Sequence, residues 1–251
     1  MKLFGMTDIF FILGAFLMGG SGAWLLASYG HRLNIIDKAS DRSSHKGVIP
    51  KAGGVGILIS FICVGVKYNI PYGLLIPAIV VSIVSFVNDQ NSLHSGFRLL
   101  IHFLCAVWAL KEGVNQDLAS WYGILFPLGV VFIVGTTNIN NFMDGIDGMA
   151  GIMAVVAFGS LAISFSIIEI PSQFMVLFCS MVGASLGFLI FNYPHARVFM
   201  GDVGSILLGF VFGVMVLSMS ENISDFLCFA AFFLWFYLDE FITMSIRIWN
   251  R

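Results

Sequence analysis

The sequence predicts an all-α polytopic membrane protein with about nine transmembrane helices, and three observations support this fold class. Apolar residues make up 59% of the 251 residues, and the mean hydropathy is +0.95, whereas globular domains average about 45–50% apolar residues. Apolar runs close to the length of about 20 residues that a membrane helix needs recur along the whole chain. Charged residues make up only 10% of the chain.

The predicted spans follow the apolar runs in order. They cover residues 8–29, 53–66, 71–87, 99–110, 121–137, 148–168, 172–191, 203–219 and 226–243. The first run has no clear small-residue cleavage site, so it is predicted to be a membrane helix and not a signal peptide. No Pro-, Gly- or Ser-rich linker divides the chain, so residues 1–251 are predicted to form a single domain.

The basic residues predict the orientation of the chain in the membrane. If the N-terminus lies outside the cytoplasm, nine Lys and Arg residues face the cytoplasm, and only Lys2, Lys67 and Lys111 face the other side. Cytoplasmic loops carry the excess of positive charge, which favours this orientation. The polar segments 30–52, 88–98, 138–147 and 192–202 then share the cytoplasmic face. The net charge of −2 gives no sign of a nucleic-acid partner.

Three short acidic segments stand at the ends of apolar runs. They contain Asp89, then Asp144 and Asp147, and then Asp202. A carboxylate at the centre of a bilayer costs about 2.5–3.5 kcal/mol or more, so acids beside membrane segments tend to mark ion or substrate sites. Mg²⁺ prefers oxygen ligands and usually takes one or two carboxylates together with phosphate oxygens. The segments therefore predict a place where a divalent cation and a phosphate meet.

Asp144 and Asp147 are spaced i, i+3, which places both on one face if this stretch forms the first turn of the sixth helix. Each is followed by a glycine, and three asparagines precede the pair. An acidic helix cap would explain Asp144, but it explains neither the glycines nor the asparagines. Asp202 sits at the start of the eighth predicted helix, just before the apolar span 203–219, where helix capping alone would also account for it.

The first polar segment, residues 37–54, alternates basic residues with hydroxyls and ends in Gly53 and Gly54. Glycines at the start of a helix allow backbone N–H groups to approach an anion, and the helix dipole favours such an anion. A basic loop that only sets the topology has the same composition. Both interpretations stay open from the sequence.

Taken together, these segments resemble the polyprenyl-phosphate N-acetylhexosamine-1-phosphate transferases of glycosyltransferase family 4. The matching stretches are Arg42-Ser43-Ser44-His45, Pro50-Lys51-Ala52-Gly53-Gly54, residues 138–148 and residues 192–205, in the order of the family. Asn-Phe-Met-Asp-Gly-Ile-Asp-Gly and Phe-Met-Gly-Asp-Val-Gly-Ser are the most specific elements. The Arg-Ser-Ser-His stretch is more similar to the branch that initiates O-antigen or enterobacterial common antigen than to the peptidoglycan enzyme.

The resemblance implies a reaction and its setting. An N-acetyl amino sugar-1-phosphate moves from a UDP-sugar to undecaprenyl phosphate, and UMP is released, which starts envelope polysaccharide synthesis of the O-antigen or lipopolysaccharide type. The family works at the cytoplasmic face of the bacterial inner membrane and requires Mg²⁺ or Mn²⁺. Phosphoryl transfer of this kind depends mainly on positioning and charge neutralisation. A homodimer is left open, because nothing in the sequence decides the oligomeric state.

The resemblance also implies roles for the matched residues. Asp202 is expected to bind the metal with Asp144 beside it. Asp89 and Asp144 are expected to act in catalysis, Asp89 by deprotonating or orienting the lipid phosphate. The residues expected to bind substrate are Lys51, Asn141, Asp147, Asn192, Arg197 and His45, with Asp147 toward the nucleotide.

Two features depart from the pattern of the family. The family typically has Asp-Asp where this chain has Asn88-Asp89, and it continues beyond the equivalent of Arg251 through a His-rich loop and at least one more helix. The expected domain therefore lacks that loop and helix. An inactive truncated relative that binds lipid phosphate is one alternative to an active enzyme. A transporter is another, since acids within membranes serve proton-coupled carriers, although carrier sites lie near the midplane.

Overall fold

Ten α-helices dominate the structure, a computed structural model that describes residues 6–38, 47–113, 125–167 and 172–249. Within those ranges the helices are α1 Met6–Tyr29, α2 Val55–Lys67, α3 Tyr72–Gln90, α4 Ser95–Gly113, α5 Leu125–Phe142, α6 Met149–Ile167, α7 Ser172–Asn192, α8 Asp202–Met219, α9 Ile223–Ala230 and α10 Leu234–Trp249. The predicted all-α class is confirmed.

Five helical segments of the described ranges are long and apolar enough to cross a membrane. They are Met6–Tyr29, Tyr72–Gln90, Gln173–Asn192, Asp202–Met219 and Ile223–Trp249. The apolar helices Val55–Lys67 and Met149–Ser164 are shorter. These segments confirm a membrane protein, but they do not confirm the predicted count of about nine spans. In the described residues the apolar runs lie mainly on helices, but several of these helices are too short or too polar to cross a membrane by length and composition.

The ninth predicted span, residues 226–243, is interrupted. A 3₁₀ turn, Ala231–Phe233, separates α9 from α10, and no proline stands in this stretch. Phe233 is fully buried at the interruption and stacks on Phe212 of α8, with 4.1 Å between the ring centroids. The interruption therefore coincides with an aromatic contact that anchors this segment to the core.

The central helix of the bundle is α8. Its residues from Val203 to Val216 are all buried, and it packs against α2, α3, α4, α5 and α6. Small residues allow α8 to approach the start of α2 closely. A Cβ atom at Gly54 would lie 2.5 Å from the Cα atom of Gly204. Membrane helices often associate through such contacts. The first residue of α8, Asp202, is consequently held against several other helices.

At the edge of the bundle, α1 packs against α7 and α2. A Cβ atom at Gly19 would collide with the carbonyl group of Ala184. On the outer side of α1, Phe10 and Leu17 are 74% and 67% exposed. An apolar surface of this kind is suited to lipid contact.

A two-stranded antiparallel sheet, which the sequence did not predict, lies beside the bundle. Strand β1, Ile36–Lys38, pairs with β2, Val48–Pro50. The chain after β2 then runs beside residues 199–200. There Phe199 N donates to Pro50 O at 2.8 Å, and the N–H groups of Gly53 and Gly54 donate to the carbonyls of Phe199 and Met200, each at 2.9 Å. Because backbone carbonyls use both glycine amides, the interpretation that these amides approach an anion is wrong.

Several polar segments predicted as connections are in fact helix ends. Asn88 and Asp89 lie in the last turn of α3, Asn141 lies in the last turn of α5, and Arg98 lies in the first turn of α4. The length of an apolar run reflects the thickness of the hydrocarbon layer. The helical backbone hydrogen bonds extend beyond the apolar run into the polar residues that follow it. The helices therefore carry polar side chains on their ends.

Asp144 and Asp147 do not lie on a helix, so the condition under which both would share one face of the sixth helix is not met. They lie in the connection between Phe142 and Met149. Gly148, just before α6, has a φ angle of 80°. A right-handed helix cannot pass through this left-handed conformation, which favours glycine. The helix consequently begins after the two acids.

Candidate functional site

Three carboxylates reach the same end of the bundle from separate elements. Asp89 comes from the end of α3, Asp144 from the connection after α5, and Asp202 from the start of α8. The Oδ2 atom of Asp89 accepts a hydrogen bond from the backbone N–H of Asp202 at 2.9 Å. The negative charges of Asp89 and Asp202 also act on Asp144. The structure thus brings together the three acids that the sequence separates by more than 50 residues each.

Asp89 is enclosed beneath the first turn of α8. Its side chain is 8% exposed, and Lys51 Nζ lies 3.7 Å from its Oδ1 atom. Gly201 has a φ angle of 73°, and a Cβ atom there would lie 2.8 Å from Asp89 Oδ2. Only glycine fits both this backbone conformation and this close approach. A helix N-terminus favours a negative charge, which explains why the carboxylate lies at this position.

Two residues outside the predicted site contact Asp202. Asn88 Nδ2 donates a hydrogen bond to Asp202 Oδ2 at 2.9 Å, and Arg98 Nη2 lies 3.4 Å from the same oxygen. An Asp in place of Asn88 would put a second negative charge against Asp202 and repel it, whereas the Asn88 amide donates a hydrogen bond. Arg98 is the only Lys or Arg in the segment 88–98. That isolation is the one signal in the sequence that points to a role for Arg98.

The surroundings of Asp144 disfavour a negative charge on its carboxyl group. Burial raises the pKa of Asp144 well above its usual value, and the negative charges of Asp202 and Asp89 raise this pKa further. Like charges disfavour ionisation of a carboxyl group, whereas a nearby cation favours it. A positive ion among the three carboxylates would therefore relieve their mutual repulsion.

The acids suit a divalent cation that takes few protein ligands. Among the described residues, no three His, Cys, Asp or Glu side chains form a complete metal site. Mg²⁺ usually keeps several waters and takes one or two carboxylates together with substrate phosphates. Oxygen-only donors such as Asp144 and Asp202 match the preference of Mg²⁺ and Mn²⁺. The residues present thus fit such an ion when substrate phosphates complete its coordination.

Asn141 lies at the junction of α5 and α8. Its Oδ1 atom accepts a hydrogen bond from Ser205 Oγ at 2.6 Å. The neighbouring Asn140 is 1% exposed, and its Nδ2 atom donates to the carbonyl of Ser205 at 2.6 Å. These bonds fix α5 to α8 next to the acids. Asn141 is half-buried, so part of its side chain stays accessible beside Asp144.

Asp147 and Asn192 join the connection before α6 to the segment that precedes α8. Asp147 Oδ2 accepts a hydrogen bond from Ala196 N at 3.0 Å. Asn192 is 4% exposed; its Oδ1 accepts from Gly148 N at 2.7 Å, and its Nδ2 donates to Val198 O at 3.0 Å. Backbone groups therefore occupy both ends of the Asn192 amide. This burial does not match the predicted substrate contact. It indicates that Asn192 holds the connection before α6 to the segment before α8.

Of the predicted basic ligands, only Lys51 is seen at the acids, through Asp89. Arg197 is exposed, its Nη2 atom donates to Ile190 O at 3.1 Å, and its guanidinium lies 5.1 Å from the centre of the Phe191 ring. Within the described ranges, no hydrogen bond or ion pair joins Arg197 to the three carboxylates. His45 lies outside the described residues, so its role stays a prediction.

Comparison with known proteins places these residues in a family. The model of the glycosyl transferase family 4 matches residues 71–220. This match runs from the start of α3 to the end of α8 and includes Asp89, Asp144 and Asp202.

Individual relatives support the same assignment. A probable undecaprenyl-phosphate N-acetylglucosaminyl 1-phosphate transferase of Bacillus subtilis (strain 168) is 27% identical over 205 residues, 74% of this chain and 56% of that protein. A phospho-N-acetylmuramoyl-pentapeptide-transferase of Vesicomyosocius okutanii is 30% identical over 237 residues, 76% of this chain and 66% of that protein. A protein of the same name from Streptococcus thermophilus is 28% identical over 207 residues, 69% and 60% of the two chains. This chain thus spans 56% to 66% of the length of these relatives.

Proposed function

Because the chain belongs to glycosyl transferase family 4, we propose that it transfers an N-acetyl amino sugar-1-phosphate from a UDP-sugar to undecaprenyl phosphate. An oxygen of the lipid phosphate attacks the phosphorus that carries the sugar. The bond from this phosphorus to the bridging oxygen breaks, and UMP leaves. The relatives support this class of reaction, since the name of one includes undecaprenyl phosphate as well as a sugar 1-phosphate.

The observation that carries the proposal is the meeting of Asp89, Asp144 and Asp202 with two cationic side chains at one end of the bundle. Lys51 lies 3.7 Å from Asp89, and Arg98 lies 3.4 Å from Asp202. A transferring phosphoryl group needs positive charge around its oxygens and a fixed line of approach. Lys51 and Arg98 supply the positive charge, and the helix ends that carry Asp89, Arg98 and Asp202 help to fix the line of approach.

We assign Asp144 and Asp202 to the metal, and Mg²⁺ or Mn²⁺, when bound, would neutralise the charge that develops on the diphosphate. Asp89 orients Lys51 and the first turn of α8, so that the Lys51 ammonium is directed to the lipid phosphate. Deprotonation of that phosphate by Asp89 is the second part of its proposed catalytic role. Asn141 and Asp147 face the nucleotide sugar.

The finer setting belongs to the same proposal. The site faces the cytoplasm, the chain crosses a bacterial inner membrane about nine times, and the product enters O-antigen-type synthesis. The distribution of Lys and Arg supports the orientation. The Arg-Ser-Ser-His stretch supports this branch, whereas relatives of this chain include transferases of phospho-N-acetylmuramoyl-pentapeptide.

A membrane assay tests the activity. The protein is combined with undecaprenyl phosphate, Mg²⁺ and a panel of UDP-N-acetylhexosamine donors, and UMP release is measured. We expect release with one donor and none without the lipid. If no donor supports release while a full-length relative is active in parallel, the proposed activity is wrong.

The same assay separates the enzyme from its two alternatives. A non-catalytic binder would retain undecaprenyl phosphate without turnover, and this retention would be unchanged in Asp144→Ala and Asp202→Ala. A transporter would move substrate across proteoliposomes. The clustering of the acids at one end of the bundle disfavours the transporter, since carrier sites lie near the midplane.

A further inference from the structure

A cavity lies apart from the three carboxylates, none of which is among its lining residues. It encloses about 480 Å³ between the end of α1, strand β2 and the end of α7. The lining residues that matter for ligand binding are Trp24, Ser28, His31, Pro50, Phe191 and Arg197. Ligand cavities typically enclose about 300–1,000 Å³. The cavity therefore has room for a small polar group together with part of a larger molecule.

The Arg197 guanidinium is held in position at this cavity. One of its N–H groups donates to Ile190 O, the group lies over the Phe191 ring, and the backbone N–H of Arg197 donates to Phe191 O at 2.9 Å. A guanidinium has five N–H donors in a fixed plane. The remaining donors can bind a phosphate in a bidentate manner, and less conformational entropy is lost because the side chain is already ordered.

The described residues of the lining include several hydrogen-bond donors. Arg197, His31 and Ser28 supply N–H and O–H groups, and no Asp or Glu is among the described residues that line the cavity. Two acids lie next to lining residues: Asp37 is the cross-strand partner of Ile49, and the Asp147 carboxylate accepts the N–H of Ala196 at 3.0 Å. That amide is consequently unavailable to a ligand. Among the described residues, no carboxylate forms a salt bridge with Arg197.

The position of the cavity on α1 indicates the membrane interface. Trp24, Ser28 and His31 are spaced i, i+4 and i+7, which places them on one side of the helix and its extension. Trp24 is 50% exposed, and Tyr29 at the end of α1 is 43% exposed. Exposed Trp and Tyr at the end of a membrane helix are typical of the headgroup level. The apolar surface of α1 continues from there toward Leu17, which is 67% exposed.

We propose that this cavity binds the phosphate headgroup of an anionic membrane phospholipid. Arg197 is the charged anchor, Ser28 and His31 are further donors, and the acyl chains lie along the exposed side of α1. Basic pockets between membrane helices bind anionic headgroups in this manner. A soluble phosphate shares the headgroup chemistry, but it would make no use of the aromatic rim or of the apolar surface beside it. The proposal does not depend on the transferase activity.

Native mass spectrometry of the purified full chain in a nonionic detergent tests the proposal. Phosphatidylglycerol is titrated, with phosphatidylcholine and inorganic phosphate as parallel probes. We expect phosphatidylglycerol to be retained at lower concentration than phosphatidylcholine. Arg197→Gln should weaken this retention by about tenfold or more, because charge-assisted hydrogen bonds to the phosphate are lost.

Arg32→Gln is the matched control. Arg32 lies 5.7 Å from the centre of the Tyr29 ring and is absent from the lining, so its loss removes the same charge close by and should leave retention near that of the unmodified protein. If Arg197→Gln folds poorly, Ser28→Leu, which fills the cavity from α1, should block retention instead.

Three outcomes would overturn the proposal. If Arg197→Gln and Arg32→Gln weaken phosphatidylglycerol retention equally, the lipid is attracted by the general surface charge and not by this cavity. Displacement of the lipid by inorganic phosphate alone would show a site for a soluble anion. Displacement by UDP-N-acetylglucosamine, lost in Arg197→Gln, would instead support the substrate role that the sequence predicts for Arg197.

Discussion

The carboxylate of Asp89 accepts the backbone N–H of Asp202, with 2.9 Å between Oδ2 and N, across 113 residues of sequence. This hydrogen bond joins the end of α3 to the start of α8. Gly201 makes the approach feasible, because a Cβ atom there would lie 2.8 Å from the accepting oxygen. Two of the three carboxylates are therefore held in a defined relation by the protein itself.

The charge of Asp89 is predicted to be necessary for turnover. In Asp89→Asn the side-chain carbonyl can still accept the N–H of Asp202, whereas the negative charge that faces Lys51 is lost. We expect UMP release to fall roughly 100-fold or more, which is the usual contribution of a positioned catalytic group. The thermal unfolding midpoint should stay near that of the unmodified protein.

Asp225→Asn is the control for this measurement, because it removes a carboxylate at the opposite end of α8. Its turnover should be unchanged. Normal UMP release by Asp89→Asn would show that the Asp89 charge has no catalytic part.

The pH dependence of stability is predicted to include Asp144. Its pKa is raised in the folded protein by burial and by Asp202 and Asp89, so the folded state binds this proton more tightly than the unfolded state does. Stability is therefore lost as the pH rises from the ordinary carboxyl pKa through the raised pKa. Asp144→Asn has no such titration. Without divalent cations, the variant should be the more stable protein at the upper end of this range.

Thermal unfolding in detergent with EDTA, followed across this pH range, measures the effect. Met143→Leu, one residue away, controls for local repacking. If the unfolding midpoints of Asp144→Asn and the unmodified protein change in parallel with pH, titration of Asp144 does not contribute to the pH dependence of stability.

Mg²⁺ is predicted to stabilise the folded protein through Asp202. A ligand that binds only the folded state raises stability by about 2.7 kcal/mol at 100 times its Kd. We expect added Mg²⁺ to raise the thermal unfolding midpoint of the unmodified protein and to have little effect on Asp202→Asn. Glu221→Gln, at the other end of the bundle, should keep the full response. An undiminished response in Asp202→Asn would place the ion elsewhere.

Asn192 is predicted to act on stability and not on substrate affinity. Asn192→Ala leaves Gly148 N and Val198 O without their partners, and each buried group left unsatisfied costs about 1–3 kcal/mol. We expect a lower thermal unfolding midpoint, with the KM for the UDP-sugar nearly unchanged in the folded fraction. A raised KM with normal stability would restore the substrate contact predicted from the sequence.

Asn138→Ala is the control for Asn192→Ala. Asn138 donates only to Val134 O within α5, so its loss should change stability far less. Equal destabilisation by the two variants would indicate that any asparagine near the site has this effect.

The sequence predicts the helices well because their signal is local. Apolar runs mark α1, α3, α7 and α8 to within a few residues, since about 20 apolar residues are needed to cross a bilayer. It also singles out Asp89, Asp144 and Asp202, because carboxylates are rare and costly in so apolar a chain. It also predicts the start of α6 to within one residue, at residue 148 against Met149, but it does not reveal that Asp144 and Asp147 lie outside this helix.

What the sequence by itself determined is the membrane class, the family resemblance and the three candidate acids. The tertiary structure alone decided how the neighbouring polar groups are used. It places Asn88 and Arg98 on Asp202, uses the amides of Gly53 and Gly54 for backbone pairing, and directs Arg197 into a separate cavity. The physical reason is distance along the chain: Asn88 meets Asp202 across 114 residues. Such contacts depend on where helix ends meet, and no local pattern encodes that meeting.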